Sequence, residues 1–307
     1  MDVVKPILKW VGGKTQILDK IISSFPSHIN NYHEPFVGGG SVLFALLSLV
    51  YEGSIKVDGD IYASDKNANL IYMYKNIQER PSELIEALDD LVGTFKTLKF
   101  EKPNPNRKPN TKEEALECQE CYYYWIRKVF NGFSNIERMQ CKASAYFIFL
   151  NKTCFRGVYR EGPNGFNVPF GHNKNPSIYD EDHILIVSML LQNVIFKTQS
   201  FEESFNNIEE HDLIYLDPPY APECPTSFVG YTNDGFDTSI HVKLFELCSI
   251  ITNIPHVKFI MSNSNVELVK KHFDNDRYTT CTLNCKRKIN SKNPASKTEE
   301  VLISLKQ

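Results

Sequence analysis

Six short apolar runs, each set off from the next by a helical pattern or a long polar stretch, most narrow the folds open to this 307-residue chain. Residues 32–36, 61–64, 194–197, 213–216, 257–261 and 301–305 read as strands. Residues 41–50, 241–250 and 266–273 carry the 3.6-residue apolar period of helices. Strands that alternate with helices predict a mostly parallel sheet covered on both faces. The stretch 67–180 breaks the alternation: it is helical and polar at first, then rich in Gly, Asn and Pro. It reads as an insertion into the α/β core, which places residues 1–66 and 186–307 in one domain and 67–185 in another. Within it, the Pro/Asn-rich segment 102–110 reads as a surface loop.

Composition removes several classes. With 42% apolar and 23% charged residues the chain is an ordinary globular one. Its longest apolar stretch, 42–50, is too short to span a bilayer. Residues 1–6 lack the charged-then-apolar pattern of a secretory signal, so the expected location is the cytoplasm, not the exterior. The eight cysteines then read as reduced thiols. The pair Cys118 and Cys121 has no second pair at zinc-site spacing, so no metal is expected. The net charge of −3 gives no general attraction to polyanions, although basic clusters stand at 96–112 and 286–297. Each of these, taken alone, reads as a solvated loop.

Two segments carry chemistry. In the first, Glu34-Pro35-Phe36-Val37-Gly38-Gly39-Gly40-Ser41, a strand end runs through glycines into an apolar helix. Such a loop lets a ligand approach the backbone beside a helix N-terminus. Asp65 follows the second run, where a carboxylate commonly grips a ribose. The segment Trp10-Val11-Gly12-Gly13-Lys14-Thr15 lacks the first glycine and the preceding strand of a P-loop, so triphosphate binding is rejected. In the second segment, Asp217-Pro218-Pro219-Tyr220 closes the run 213–216. A rigid Asp-Pro-Pro-aromatic loop at a strand end can offer a carboxylate and a carbonyl to the two hydrogens of one planar amino group, with a ring to stack on its plane.

These segments, with Leu8-Lys9-Trp10-Val11-Gly12-Gly13-Lys14 and the blocks 150–160 and 165–171, stand in the order of the Dam (D12) type, class alpha, N6-adenine DNA methyltransferases, which the chain resembles over nearly its whole length. The resemblance implies a Rossmann-like doubly wound sheet that binds S-adenosyl-L-methionine, with an inserted, mainly helical target-recognition domain. It implies double-stranded DNA as partner, no metal and a monomeric enzyme. It assigns Trp10, Lys14, Phe36, Gly38, Asp65 and Asp217 to the cofactor. Asp217, Pro218 and Tyr220 go to a flipped adenine, the first two accepting the N6 hydrogens. Lys9, Phe155, Arg156, Val158, Arg160, Asn167 and Pro169 go to DNA. In that set Phe155 inserts into the duplex, Val158 meets a thymine methyl and Arg160 reads a guanine.

Arg156 and His172 depart from the family pattern, which has Asn at the first and an Arg- or Lys-like group at the second. GATC is the default target, and CATG is a related palindrome with the same central AT. The alternatives are an N4-cytosine DNA methyltransferase, which commonly has Ser in place of Asp217; methylation of RNA or of a protein glutamine, where Asn-Pro-Pro-aromatic is more typical; and a non-catalytic DNA-binding homologue, which would have lost one of the two site segments.

Overall fold

The computed structural model describes residues 3–222, 236–286 and 297–306. In chain order its main elements are β1 (Tyr32–Glu34), α1 (Ser41–Tyr51), β2 (Ile61–Asp65), α2 (Ala68–Glu79), α3 (Pro81–Thr97), α4 (Gln119–Gly132), α5 (Cys141–Thr153), α6 (Glu181–Leu191), β3 (Val194–Thr198), β4 (Leu213–Leu216), α7 (Thr238–Ile251), β5 (Lys258–Ser264), α8 (Glu267–Phe273), β6 (Tyr278–Lys286) and β7 (Lys297–Leu305). The chain forms two compact units. One comprises Met1–Val3, Lys14–Lys66 and Asn193–Gln307; the other comprises Val4–Gly13 and Asn67–Gln192.

The first unit is built on a seven-stranded sheet in the order β6-β7-β5-β4-β1-β2-β3. β1 to β5 pair in parallel, while β7 runs antiparallel to both β5 and β6. The mostly parallel α/β sheet expected from the alternating runs is therefore present. Order reverses at β1, which lies between β2 and β4 with Tyr32 opposite both Ile61 and Leu213. In open α/β sheets such a switch point leaves a crevice at the carboxyl ends of the strands. β4 is buried throughout, as a central strand covered on both faces should be. The packed side includes Ile214, Leu216, Leu244, Phe245, Phe259, Met261 and Ile303. Each such side chain contributes about 1.5–3 kcal/mol on burial. Residues 41–48 of α1 are all buried, so its apolar run is a core helix.

Several boundaries moved, each for a physical reason. β1 stops at Glu34 instead of continuing to residue 36, because Pro35 has no N–H for a ladder. β6 had no counterpart among the expected strands. Thr279, Thr280, Cys281 and Thr282 are exposed at the sheet edge, so little of the strand is apolar, and only the β-branching of the three threonines favours an extended chain.

The second unit is helical. α5 is buried almost all round and packs on α2, α3 and α4. Around it Phe95, Tyr122, Phe149 and Phe170 meet edge to face. Asn67 caps α2 by accepting from the amides of Asn69 and Leu70, and Pro81 opens α3 at a position where a missing N–H costs nothing. α6 packs on α2 and α3, which carries this unit to Gln192, beyond the residue-185 boundary read from the sequence. Val4–Gly13 belongs to it as well, although residues 1–66 were assigned to the α/β domain. Segment 102–110 is irregular, as expected, and Arg107 pairs with Glu120 at 2.7 Å. Cys118 and Cys121 are buried thiols, their Sγ atoms 3.1 Å apart. The basic segment 287–296 lies outside the described residues.

One polar cluster ties the first unit together below the switch point. Buried Asp212, just before β4, accepts hydrogen bonds from the amides of Asn31 and Glu209, from the side chains of Asn30 and Asn31, and from His33 Nε2, at 2.8–3.0 Å. Burial pushes its carboxyl up, but His33 and the amide donors outweigh this and hold it below the usual carboxylate range. Replacing Asp212 by Ala strands these donors. It should cost about 3 kcal/mol of stability in urea denaturation at neutral pH. Because the folded-state pKa is lowered, this stabilisation is full above the ordinary carboxylate pKa and is lost as pH falls through the folded value.

Candidate active site

The glycine loop after β1 is folded by its own backbone. Val37 N–H donates to Ser64 O at 3.0 Å, and Gly40 N–H donates to Val37 O at 2.8 Å. Gly40 takes φ 74°, the left-handed turn that starts α1 and that a side chain would strain. Gly38 N–H donates to Asp65 Oδ2 at 3.1 Å, so the carboxylate ending β2 is held against the loop ending β1. Phe36 stacks on Phe201 at 5.6 Å and meets the edge of Phe236. Lys14, Phe36, Gly38, Asp65 and Asp217 all belong to this unit.

Across the switch point, β4 delivers Asp217-Pro218-Pro219-Tyr220. Lys14 Nζ lies 2.8 Å from Asp217 Oδ2, with the two side chains only 6% and 19% exposed. The same ammonium sits 4.9 Å from the centre of the Tyr220 ring. Lys14 is itself buried. The loop is held from behind as well. Ala221 N–H donates to Asn263 Oδ1 at 3.0 Å, Ser264 Oγ donates to Ala221 O at 2.6 Å, and buried His241 places Nε2 2.9 Å from Pro219 O. Tyr220 donates its hydroxyl to Glu300 Oε2 at 2.7 Å.

Burial sets the charge states here. It pushes Asp217 up to about 6 against the pull of Lys14. It pushes Glu34 up to about 8, with Tyr32 Oη donating to Glu34 Oε2 at 2.7 Å as a partial offset and the Asp217 charge adding to the rise. It also drives the Tyr220 phenol far up, helped by Asp217 and Glu300. At neutral pH this corner holds one ammonium, an ionised Asp217, a neutral Glu34 and an intact phenol. An ionised acceptor beside an aromatic ring, at a dry strand end, suits a planar amino group.

The residues expected to meet DNA gather in the second unit. Asn151 accepts from Lys9 N–H at 2.9 Å and donates to Lys9 O at 2.8 Å and to Gly157 O at 3.2 Å, so the N-terminal segment is clasped to the loop after α5. Gly157 sits at φ 66°, and a Cβ there would meet Lys9 Cβ at 2.6 Å. Phe155 is 48% exposed, which excludes a core role, and the Arg156 guanidinium covers its ring at 5.1 Å. Arg156 itself has φ 58°. Asn tolerates that region far better than Arg does, which accounts for the residue usual in the family pattern. The short hairpin 161–166 continues so that Asn167 N–H donates to Arg160 O at 3.1 Å, while Arg160 Nε donates to Asn167 Oδ1 at 2.7 Å. Phe155 N–H donates to Pro169 O at 2.9 Å, and Val158 is half-buried on the same loop. Trp10, grouped by sequence with Lys14, lies in this unit and stacks on Tyr159 at 5.5 Å.

Sequence reading did not single out Glu300, His241 or Asn151. Glu299 and Glu300 look like a solvated strand start. His241 lies on the apolar face of a helix, and Asn151 sits inside a quoted block with no reason to stand out.

The family model for D12 class N6 adenine-specific DNA methyltransferases matches residues 10–289. The chain is 38% identical over 297 residues to the Type II methyltransferase M.MjaIII of Methanocaldococcus jannaschii, with 94% of each chain covered. It is 30% identical over 273 residues to the Type II methyltransferase M1.LlaDCHI of Lactococcus lactis subsp. cremoris, covering 87% of this chain and 84% of that one. It is 28% identical over 277 residues to a DNA adenine methylase of Haemophilus influenzae, covering 89% and 84%.

Glu34 gives the site a pH signature. Its folded-state pKa of about 8 lies above the ordinary 4.5, so the stabilisation is full below 4.5 and is lost as pH rises through 8. Thermal denaturation between pH 5 and 9 should show wild type losing stability relative to a Glu34→Gln variant as the pH climbs. Parallel curves would mean that Glu34 is already charged at neutral pH.

Proposed function

The chain belongs to the D12 class N6 adenine-specific DNA methyltransferases, and from that premise we propose that it methylates a flipped-out adenine in a short palindrome by direct transfer from S-adenosyl-L-methionine. It is an adenine-specific DNA methyltransferase; the donor, the target and the residue roles are our reading. The observation that carries this reading is Asp217-Pro218-Pro219-Tyr220 at the end of β4, beside the glycine loop of β1, at the point where strand order reverses.

The donor set suits the cofactor. Asp65 beside Gly38 offers a carboxylate to a ribose, Phe36 offers a ring to an adenosine, and Lys14 offers a cation to a carboxylate. Trp10, which the resemblance also gives to the cofactor, belongs to the second unit. When bound, the cofactor supplies a methyl group activated on a sulfonium.

The chain's residues do the rest. The target amino group is buried in a base pair, so the adenine must leave the stack. Tyr220 offers it a stacking face. The Asp217 carboxylate and the Pro218 carbonyl accept its two N6 hydrogens, which draws the nitrogen toward tetrahedral geometry and frees its lone pair. Lys14 keeps Asp217 ionised in its dry setting. No covalent enzyme intermediate is needed. Most of the acceleration comes from alignment, which is worth roughly 7–11 kcal/mol for well-oriented groups. The second unit, Val4–Gly13 with Asn67–Gln192, serves as the target-recognition domain of a monomeric enzyme. There Phe155 enters the duplex, Arg160 reads a guanine, Val158 meets a thymine methyl, Lys9 contacts a base, and Arg156, Asn167 and Pro169 complete the DNA face. GATC is the proposed target, with CATG as the variant to test against it.

Labelled-donor transfer onto DNA followed by nucleoside digestion should yield N6-methyladenine; N4-methylcytosine would overturn the reading. Asp217→Ala should lower turnover at least about a hundredfold, the scale of losing one preorganised polar contact, while DNA binding persists. Turnover should also fall as pH drops through about 6, where Asp217 gains a proton and one acceptor oxygen becomes a donor. In methylation-aware sequencing, Arg160→Ala should relax base choice at one position by about 1–3 kcal/mol. Uniform weakening on all sequences would make it a phosphate contact.

A further inference from the structure

Glu300 is an acidic side chain bonded to the Asp217-Tyr220 loop that the reading above leaves without a role. Topology explains its presence. β7 is antiparallel to β5, with Glu300 opposite Ser264. Its first residues therefore arrive at the edge where β1, β2 and β4 end. From there Glu300 Oε2 accepts the Tyr220 hydroxyl at 2.7 Å. The neighbouring strand holds the next peptide unit. Ser264 Oγ donates to Ala221 O at 2.6 Å, and Asn263 Oδ1 accepts from Ala221 N–H at 3.0 Å. Thus β5 grips the backbone beside the ring while β7 grips the far end of the ring itself.

Lys14 compensates Asp217 at 2.8 Å, whereas Glu300 adds a second negative charge near Asp217. Its hydrogen-bonding partner in the site is the phenol. A charge-assisted hydrogen bond of this kind is stronger than a neutral one, and it holds the hydroxyl end of the ring in place. It also enriches the ring's π-electrons. That matters for a nitrogen that gains positive charge as it takes a methyl group, because a richer ring face attracts a cation more strongly.

We propose that Glu300 is a positioning residue for methyl transfer, acting through the Tyr220 hydroxyl to orient the aromatic ring and raise its electron density against the target amino group. The proposal rests on the reading of Asp217-Tyr220 as the acceptor site. It assigns a function to the junction of β7 with the catalytic edge.

The test is a double-mutant cycle on the full-length enzyme with hemimethylated oligonucleotide substrate. Turnover at saturation, KM for DNA and 2-aminopurine fluorescence at the target position are measured alongside thermal stability. Glu300→Ala should lower kcat about tenfold with KM for DNA changed less than about twofold, the pattern of an interaction realised at the reacting centre. Glu300→Gln keeps an acceptor of nearly the same shape without the charge and should fall between Glu300→Ala and wild type. Tyr220→Phe should match Glu300→Ala, and the double variant should be no slower than Tyr220→Phe alone. Wild-type kcat in Glu300→Ala, or losses that multiply in the double variant, would overturn the proposal. Tyr220→Ala with wild-type turnover would instead bring down the acceptor-site reading, and this proposal with it. A Tyr220→Ala that is dead while Glu300→Ala is fully active sinks the Glu300 role alone.

Discussion

Two carboxyl groups end adjacent strands in a dry corner of the sheet, and they cannot both carry charge there without compensation. The protein resolves the conflict unequally. Asp217 receives the Lys14 ammonium at 2.8 Å and titrates near 6, while Glu34 receives only the Tyr32 hydroxyl and titrates near 8. One stays an anion at neutral pH and the other stays an acid. Environments that push two similar groups apart in this way are how one fold obtains distinct chemical roles from the same functional group. The remaining features of the corner follow from keeping that inequality in place: a buried lysine, a proline-stiffened loop and backbone anchors from β5.

The architecture supplies the corner by geometry more than by local sequence. Parallel strands all end on one edge, so β1 brings its glycine loop, β2 brings Asp65 and β4 brings Asp217 to the same rim. The Asp212 cluster pins the opposite ends of β1 and β4, joining Asn31 and His33 to the residue that opens β4. The rim is therefore braced from below by a polar network that makes no use of the chemistry above it.

Much of this was legible in the residues. Short apolar runs gave away β1 to β5 and β7, and prolines after β1 and β4 mark where those ladders stop, because a residue without an N–H cannot extend one. The site segments were legible because Asp-Pro-Pro-Tyr and the triple glycine each close an apolar run with residues that a strand interior disfavours. What stayed hidden depended on partners distant in sequence. Glu300 acquires meaning only through the antiparallel register of β7, His241 only through a carbonyl 22 residues away, and Asn151 only through a backbone segment 142 residues away. The edge strand β6 was missed because its exposed threonines carry no apolar alternation. Val4–Gly13 was assigned to the wrong compact unit because nothing in its composition announces the clasp of Asn151 on Lys9.

The strand that comes latest in the sequence does not sit at the rim of the sheet but inside it, between β5 and β6. As ribosomal synthesis proceeds, β6 emerges with its ladder partner still unmade, and β5 waits with one side bare. Residues 297–305 complete both ladders at once. The same late segment carries the carboxylate that grips Tyr220. The aromatic clamp on Tyr220 is thus closed by a segment that follows both the glycine loop and the helical unit in the chain.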